Sequence, residues 1–429
     1  MIGVNNTILP CFMKKLIVLL FLTAFGCHKA TDNVVPDQLT SGDEHFISAA
    51  KAMQIASTTL DPNGRGSSKT RKIKNQLTID DADDKTKKTP DLPVFYIVNY
   101  EEGGYKIISA DDRLEPVLAD VPAGPGIDKT SELPGGLLIW MKSTKDQIQN
   151  IRKVKLTKKA KKGGRTTIVV TEKLPLLTTR WSQGCTFNDN IPLMIPGASC
   201  GSNSCGRPLV GCVAVAMGQV IRYWGRANPN FRTSFNYDWA NLPEGRVGGV
   251  ELTSSETHRL LYDAGDKVGM SWGCQASGAY STNIPGAMKS GFGYSSANHV
   301  SRYRSQDVIN NLNMDWPVIL AGCTQNCSFL TWQYGCGSCH AWVCDGYKRT
   351  EMPGQEYCYY DCVQQTPDCY ECYTSIVTYD QLHMKWGWFN GNHDGWFAST
   401  NFSYSNGPNG QTMPHNFNSD LSEIVDIHP

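Results

Sequence analysis

Residues 211–224 read G-C-V-A-V-A-M-G-Q-V-I-R-Y-W. Val213, Ala216, Met217, Val220, Ile221 and Trp224 recur at the three- and four-residue spacing of one helix face, so the run predicts a buried helix. Cys212 then falls in the first turn, behind Gly211, whose missing side chain lets another group come close. First-turn N–H groups lack intrahelical partners and the positive end of the helix dipole lies there, so a thiolate is favoured. The thiolate is the attacking species, and a free cysteine with a pKa of about 8.5 is mostly protonated at neutral pH. A buried or disulfide-bonded structural cysteine is the competing reading.

Working outward, the chain offers Cys212 a partner well downstream. His340 opens H-A-W-V-C-D-G-Y, an alternating strand pattern that ends in a D-G turn signal. Cysteine on an early helix and histidine on a later strand is the papain-like order. Four histidines compete with His340. His258 sits in a polar helical stretch and His299 in a loop, both read as solvated. His383 reads as a strand residue with a structural role, and His393 is the fourth.

Composition limits the alternatives. The 429 residues suggest two or three domains, and 40 Lys+Arg against 40 Asp+Glu give a net charge of zero. That balance argues against nucleic-acid binding through an overall basic surface, and no nucleic-acid partner is expected. Apolar residues at 40% and charged residues at 19% exclude a mostly disordered chain and a polytopic membrane protein.

The N-terminus reads as an export signal. From Met13 the chain runs M-K-K-L-I-V-L-L-F-L-T-A-F-G-C, two lysines before an apolar stretch from Leu16 to Phe25 that is too short to span a bilayer. Residues 1–26 are the expected signal peptide, with Met13 as an alternative start. The A-F-G-C segment resembles a bacterial lipobox, which makes Cys27 the expected lipidation site. An ordinary cleaved signal is the alternative. Residues 27–45 read as a polar tether, so the chain is expected to be exported and membrane-anchored, on the periplasmic side or the cell surface.

Residues 46–60 have helical spacing, and 61–88 read as a polar loop. V-F-Y-I-V-N at 94–99 and Y-K-I-I-S at 105–109 form an expected hairpin, and a second helix starts near Gly136. Residues 152–173 read as a basic, protease-sensitive linker rather than a nucleic-acid patch, because the lysine run lacks interleaved aromatics. From 174 to 429 Trp, Tyr, Gly and Cys are dense, as in a compact enzyme-like domain.

Four ordered motifs carry a family resemblance: W-S-Q-G-C-T-F-N-D at 181–189, residues 211–224, H-A-W-V-C-D-G-Y at 340–347, and W-G-W-F-N-G-N-H-D-G-W-F at 386–397. Together they resemble the streptopain family of papain-like cysteine peptidases, and residues 46–151 look like that family's inhibitory prodomain. The resemblance implies an α+β fold: a helical part carrying the cysteine, an antiparallel sheet carrying the histidine, and a small α+β prodomain ahead of both. It implies Cys212 as nucleophile, His340 as general acid/base, Gln183 in the oxyanion hole, and Trp386 packed beside the histidine. Protein or peptide substrates, the chain's own prodomain as inhibitor, and cleavage in 152–173 follow from it; no cofactor is expected.

Two departures qualify the resemblance. Lys385 stands where the family usually has Asn, and Phe389-Asn390 stand where it usually has Gly-Gly. Lys385 is silent if it points outward; facing His340, its charge would disfavour imidazolium. A catalytically weak homologue that binds peptides or inhibits is therefore an alternative.

Of the other cysteines, Cys344 reads as a buried free thiol. Cys185, Cys200, Cys205, Cys274, Cys323, Cys327, Cys336, Cys339, Cys358, Cys362, Cys369 and Cys372 form an even set that suggests up to six disulfides of open connectivity. The alternative is zinc, because Cys336-x₂-Cys339 and Cys369-x₂-Cys372 have ribbon-like spacing.

Overall fold

The structure is a computed structural model that describes residues 45–57, 71–80, 92–153, 169–193, 200–201, 204–228, 231–247, 250–251, 253–323, 339–360, 370–388, 391–399 and 421–429. The signal segment, residues 27–44 of the tether with Cys27, most of the basic linker and Phe389-Asn390 lie outside the described residues.

The N-terminal block builds α1 (Ala49–Ser57), β1 (Ile73–Asp80), β2 (Pro93–Tyr100), β3 (Tyr105–Ser109), β4 (Val117–Val121) and α2 (Gly135–Lys153). β2 is apolar at nearly every position because both of its faces are covered. Phe95 and Ile97 pack on the α2 side, while Tyr96 and Val98 pack with Ala52 and Ala56 of α1. The hairpin of β2 and β3 forms as expected, with Ile97 opposite Ile107.

β1 corrects the sequence reading, which gave residues 61–88 as a loop. Its I-K-N-Q-L-T-I-D sequence pairs antiparallel with β2. Leu77 and Ile79, two apart, join the core on the α2 side, while Lys74, Asn75, Thr78 and Asp80 stay exposed. A polar strand at a sheet edge resembles a loop in composition, and only its period of two betrays it.

The C-terminal block contributes β5 (Val169–Lys173), α3 (Cys212–Ala227), α4 (Ser255–Val268), β6 (Ser296–Val300), α5 (Ser305–Asn313), β7 (Val318–Cys323), β8 (Cys339–Tyr360), β9 (Tyr370–Lys385), β10 (Gly395–Ala398) and β11 (Leu421–His428). One antiparallel sheet runs β1-β2-β3-β4-β10-β9-β8-β7-β11-β6, with β5 pairing β8 beside that path. The last residues of the expected linker are thus a sheet strand, and its first two end α2.

Alternation along β7 and β8 divides the core. Ile319, Ala321, Ala341 and Val343 face α3, whereas Val318, Leu320, Trp342 and Cys344 face α2. α3 itself is enclosed on nearly all sides, buried continuously from Cys212 to Arg222. The two blocks share one sheet through β4 and β10, where Ala119 lies opposite Phe397. They also share a core, since Leu137, Trp140 and Met141 of α2 pack with Trp342, Met384, Trp386 and Phe397. Trp140 Nε1–H donates to the Ala398 carbonyl at 2.9 Å.

The Asp345-Gly346 pair does not make the expected turn. β8 runs on through it, with a register shift between Cys344 and Gly346. The Asp345 carboxylate accepts from the Leu177 N–H at 2.9 Å and lies 2.6 Å from His383 Nδ1. Asp345 therefore ties the chain entering this block to β9 instead of capping a turn, and His383 has the structural role expected of it. His258 and His299 differ from expectation. His258 Nε2 bonds the Thr186 carbonyl at 2.7 Å, which anchors the 186–189 loop to α4, and His299 is a half-buried residue of β6.

Candidate active site

Gly211 precedes α3 at φ 92, a backbone conformation that favours glycine. A Cβ there would lie 2.7 Å from Met270 Sδ and 3.2 Å from Ser277 Cβ, so neither the conformation nor the space admits a side chain. No side chain caps the helix, and its first N–H groups stay available to a ligand or to Cys212 itself.

β8 starts against this helix end. The Ala341 N–H reaches Cys212 Sγ at 3.4 Å, and His340, one residue earlier, lies close enough for its charge to act on the thiol. His340 Nε2 lies 2.9 Å from the Trp386 carbonyl. A carbonyl only accepts, so Nε2 carries a proton, which leaves Nδ1 for Cys212.

The electrostatics follow from that arrangement. Burial, the largest single effect, opposes ionisation of Cys212. The charge and hydrogen bond of His340, with the N–H groups of Ala341 and Val213, outweigh it and hold the thiol below its ordinary value. Burial also works against a charged His340, yet Cys212 and the Trp386 carbonyl raise it above the usual histidine range. Both shifts act in the direction of thiolate and imidazolium.

Trp386, fully buried, borders His340, and its indole N–H donates to the His393 carbonyl at 2.9 Å. Gln183 lies beside the entry to α3, where its carbonyl accepts from the Val210 N–H at 2.9 Å. Cys212, His340 and Trp386 thus meet at the junction of α3 and β8, and the Gln183 backbone is bonded two residues ahead of Cys212. His393 does not compete with His340. It is buried at φ 68, and burial pulls its imidazole down to about 4.

Lys385 neither points outward nor toward His340, the two orientations the sequence left open. It is buried and pairs with Asp394 at 3.4 Å, and the other Asp394 oxygen accepts from the Trp386 N–H at 2.9 Å. Asp394 is a residue that sequence reasoning missed, although it lies within the N-H-D-G-W part of a quoted motif.

The start of α2 was read from the sequence as a helix start near Gly136, but not as part of the site. Gly135 and Gly136 lie directly over the site: a Cβ on Gly136 would be 2.6 Å from Trp386 Cε3 and 3.0 Å from His340 Cδ2, and one on Gly135 3.4 Å from His340 Nδ1. The available signal was the doublet itself, since glycine opening a long helix costs roughly 1 kcal/mol per position relative to alanine and calls for a packing reason.

Around the site Cys185 bonds Cys205, Cys200 bonds Cys274, and Cys323 bonds Cys339 beside His340. The last pair removes Cys339 from the zinc reading, and among the described residues no cluster could hold a metal ion. Cys344 is the buried free thiol expected. The remaining candidate pairs rest on residues whose side chains lie outside the described set.

Known proteins resemble this chain in sequence and in fold. The family model for peptidase family C10 matches residues 181–397, and a model described as a Spi protease inhibitor matches residues 44–148. The thiol protease/hemagglutinin PrtT of Porphyromonas gingivalis is 25% identical over 297 residues, covering 59% of this chain and 31% of that relative. The chain therefore spans about a third of that relative's length. A fragment of prointerpain A from Prevotella intermedia shares the fold at a TM-score of 0.50 and 21% identity, covering 83% of this chain and 99% of that one.

Replacing His340 by Ala leaves the burial of Cys212 unopposed. The pH midpoint of the Cys212 thiolate, read as ultraviolet absorbance against Cys212→Ser, is expected below the ordinary thiol value in the wild type and above it in His340→Ala. Equal midpoints would contradict the pairing.

Proposed function

Because the chain belongs to the peptidase C10 family, with residues 181–397 matched to it, we propose that it is a cysteine endopeptidase made as a zymogen and working through Cys212 and His340. The observation that carries this reading is the meeting of Cys212, at the start of a buried helix, with the strand that carries His340, where the Ala341 N–H lies 3.4 Å from Cys212 Sγ and His340 Nε2 2.9 Å from the Trp386 carbonyl.

In the proposed reaction Cys212 Sγ attacks the scissile carbonyl carbon and forms a tetrahedral oxyanion. The Cys212 N–H at the helix start, with the Gln183 side chain, receives that negative charge; one such donor is worth roughly 10²–10³ in rate. His340 passes its Nδ1 proton to the leaving amine as the C–N bond breaks, which leaves a thioester. Water, deprotonated by His340, then cleaves the thioester, releases the acid and restores the pair. General acid/base transfer of this kind contributes about 10²–10⁴-fold. Trp386 covers one side of the imidazole and keeps water from it.

Inhibition by the prodomain has a steric basis. The Gly135-Gly136 backbone lies where substrate would have to approach His340, and α2 is held there by the shared core and the β4–β10 pairing. Cutting within 152–173 frees the covalent link that keeps α2 in place. Lys385, paired with Asp394, gives no ground for a catalytically weak homologue, while Phe389-Asn390, the other departure, lie outside the described residues.

Export and lipid attachment at Cys27 complete the proposal, placing the enzyme at a membrane on the periplasmic or outer side. The support is the charged and apolar order of residues 13–27 and three disulfides, which persist in oxidising compartments. Among the described residues no helix is long and apolar enough to cross a membrane.

The test is casein hydrolysis by the full chain after cleavage in the basic linker, wild type beside Cys212→Ala, under mild reductant. Hydrolysis by the wild type alone is expected, and equal rates in both would refute the nucleophile. Gly136→Leu, which cannot fit against Trp386, is expected to raise the activity of the uncut chain at least tenfold. If the uncut wild type already hydrolyses casein as fast as the cut enzyme, the prodomain does not inhibit.

A further inference from the structure

Lysine has no hydrogen-bond acceptor, so Lys385 cannot orient the proposed histidine through its own side chain. The acceptor for His340 Nε2–H is instead the Trp386 carbonyl, at 2.9 Å. A backbone carbonyl orients a ring only as well as its own peptide is held. Trp386 is held twice, through its N–H to Asp394 Oδ1 and through its indole N–H to the His393 carbonyl, both at 2.9 Å. Gly387 follows at φ 64 and turns the chain away, so the direction of the carbonyl depends on those two anchors.

Resting on the reading of Cys212 and His340 as the reacting pair, we propose that Lys385 and Asp394 are positioning residues: a buried ion pair that fixes the Trp386 peptide so that its carbonyl orients His340.

Asp394 is enclosed. Burial pushes its carboxyl up, with Lys385, the Trp386 N–H and His383 opposing that and Asp345 adding to it. Tyr105 of β3 faces it from the prodomain side. A buried carboxylate without a compensating cation would take up a proton and lose half of its accepting strength. Lys385, at 3.4 Å, opposes that protonation. The pair is also neutral as a unit, so the lysine charge does not reach His340 as repulsion, which a lone buried lysine would exert. Lys385 and Asp394 thus arrive together: the lysine makes the aspartate affordable, and the aspartate aims the carbonyl.

Two variants of the full chain separate hydrogen bond from charge. Lys385→Met with Asp394→Asn removes both charges and keeps an oxygen for the Trp386 N–H. Lys385→Met with Asp394→Ala removes both charges and the acceptor. The readout is the pH midpoint of the Cys212 thiolate in the uncut chain, by ultraviolet absorbance against Cys212→Ser, which needs no peptidase activity. The Asn variant is expected to titrate as the wild type does, and the Ala variant about one pH unit higher, because a poorly held His340 stabilises the thiolate less. Equal midpoints in the two variants would overturn the positioning role. A wild-type midpoint at the ordinary thiol value would instead overturn the reading of Cys212 and His340, and this inference with it. The unsubstituted chain gives a second measurement that no folding defect can obscure: a slowly exchanging imidazole N–H resonance, lost in His340→Ala. Its absence would likewise overturn the proposal.

Discussion

The hydrogen bond from the Ala341 N–H to Cys212 Sγ, at 3.4 Å, marks the one contact on which the site depends. It joins the first turn of α3 to the first residues of β8, and a shift of either element by one residue would separate the thiol from His340. The rest of the architecture holds that junction. β8 lies between β7 and β9, so its register is set on both edges, and Ala341 and Val343 press it against α3 while Trp342 and Cys344 anchor its other face. Gly211 brings the helix start close enough, and the bond of Cys323 to Cys339 fixes the strand end beside His340. A one-residue slip in a two-sided strand exchanges its faces, so misregistry would cost the core as well as the site.

The same sheet explains why the prodomain and the peptidase domain behave as one body in the uncut chain. β4 extends the sheet through β10, and α2 covers the face that α3 does not. Inhibition and folding therefore use the same apolar surface. Burial of large side chains such as Trp140 and Leu137 is worth roughly 1.5–3 kcal/mol each. Cleavage of the linker thus turns a tethered seat for α2 into one held by non-covalent contacts only, from which α2 can dissociate.

Much of this was legible in the sequence, and what was not has physical reasons. The papain-like α+β fold and its prodomain are as expected. α3 could be read because a buried helix with a cysteine at its start needs an unbroken apolar stripe, and β2 and β3 because their apolar runs flank a glycine pair. β1 was hidden because an edge strand covers one face only and carries Lys, Asn, Gln and Asp. The continuation of β8 through Asp345-Gly346 was hidden because the turn preference of that pair is overridden by two partners distant in sequence, Leu177 and His383. At the site, Cys212 and His340 stood out by residue type and order. Lys385 could be flagged but not placed, because its meaning rests on Asp394, and nothing local says that a loop folds the two together. Gly135-Gly136 carried no chemistry of its own, and its role exists only through what lies beneath it.

The central claim is that Cys212 is an activated thiolate kept under the prodomain helix. Alkylation of Cys212 by iodoacetamide at mildly acidic pH, followed by mass spectrometry before and after removal of the prodomain, tests it most directly. Slow labelling in the uncut chain, and fast labelling of Cys212 ahead of Cys344 once the prodomain is gone, is the expected result. Equal labelling rates in the two forms, or labelling that begins only in the ordinary thiol range, would contradict it.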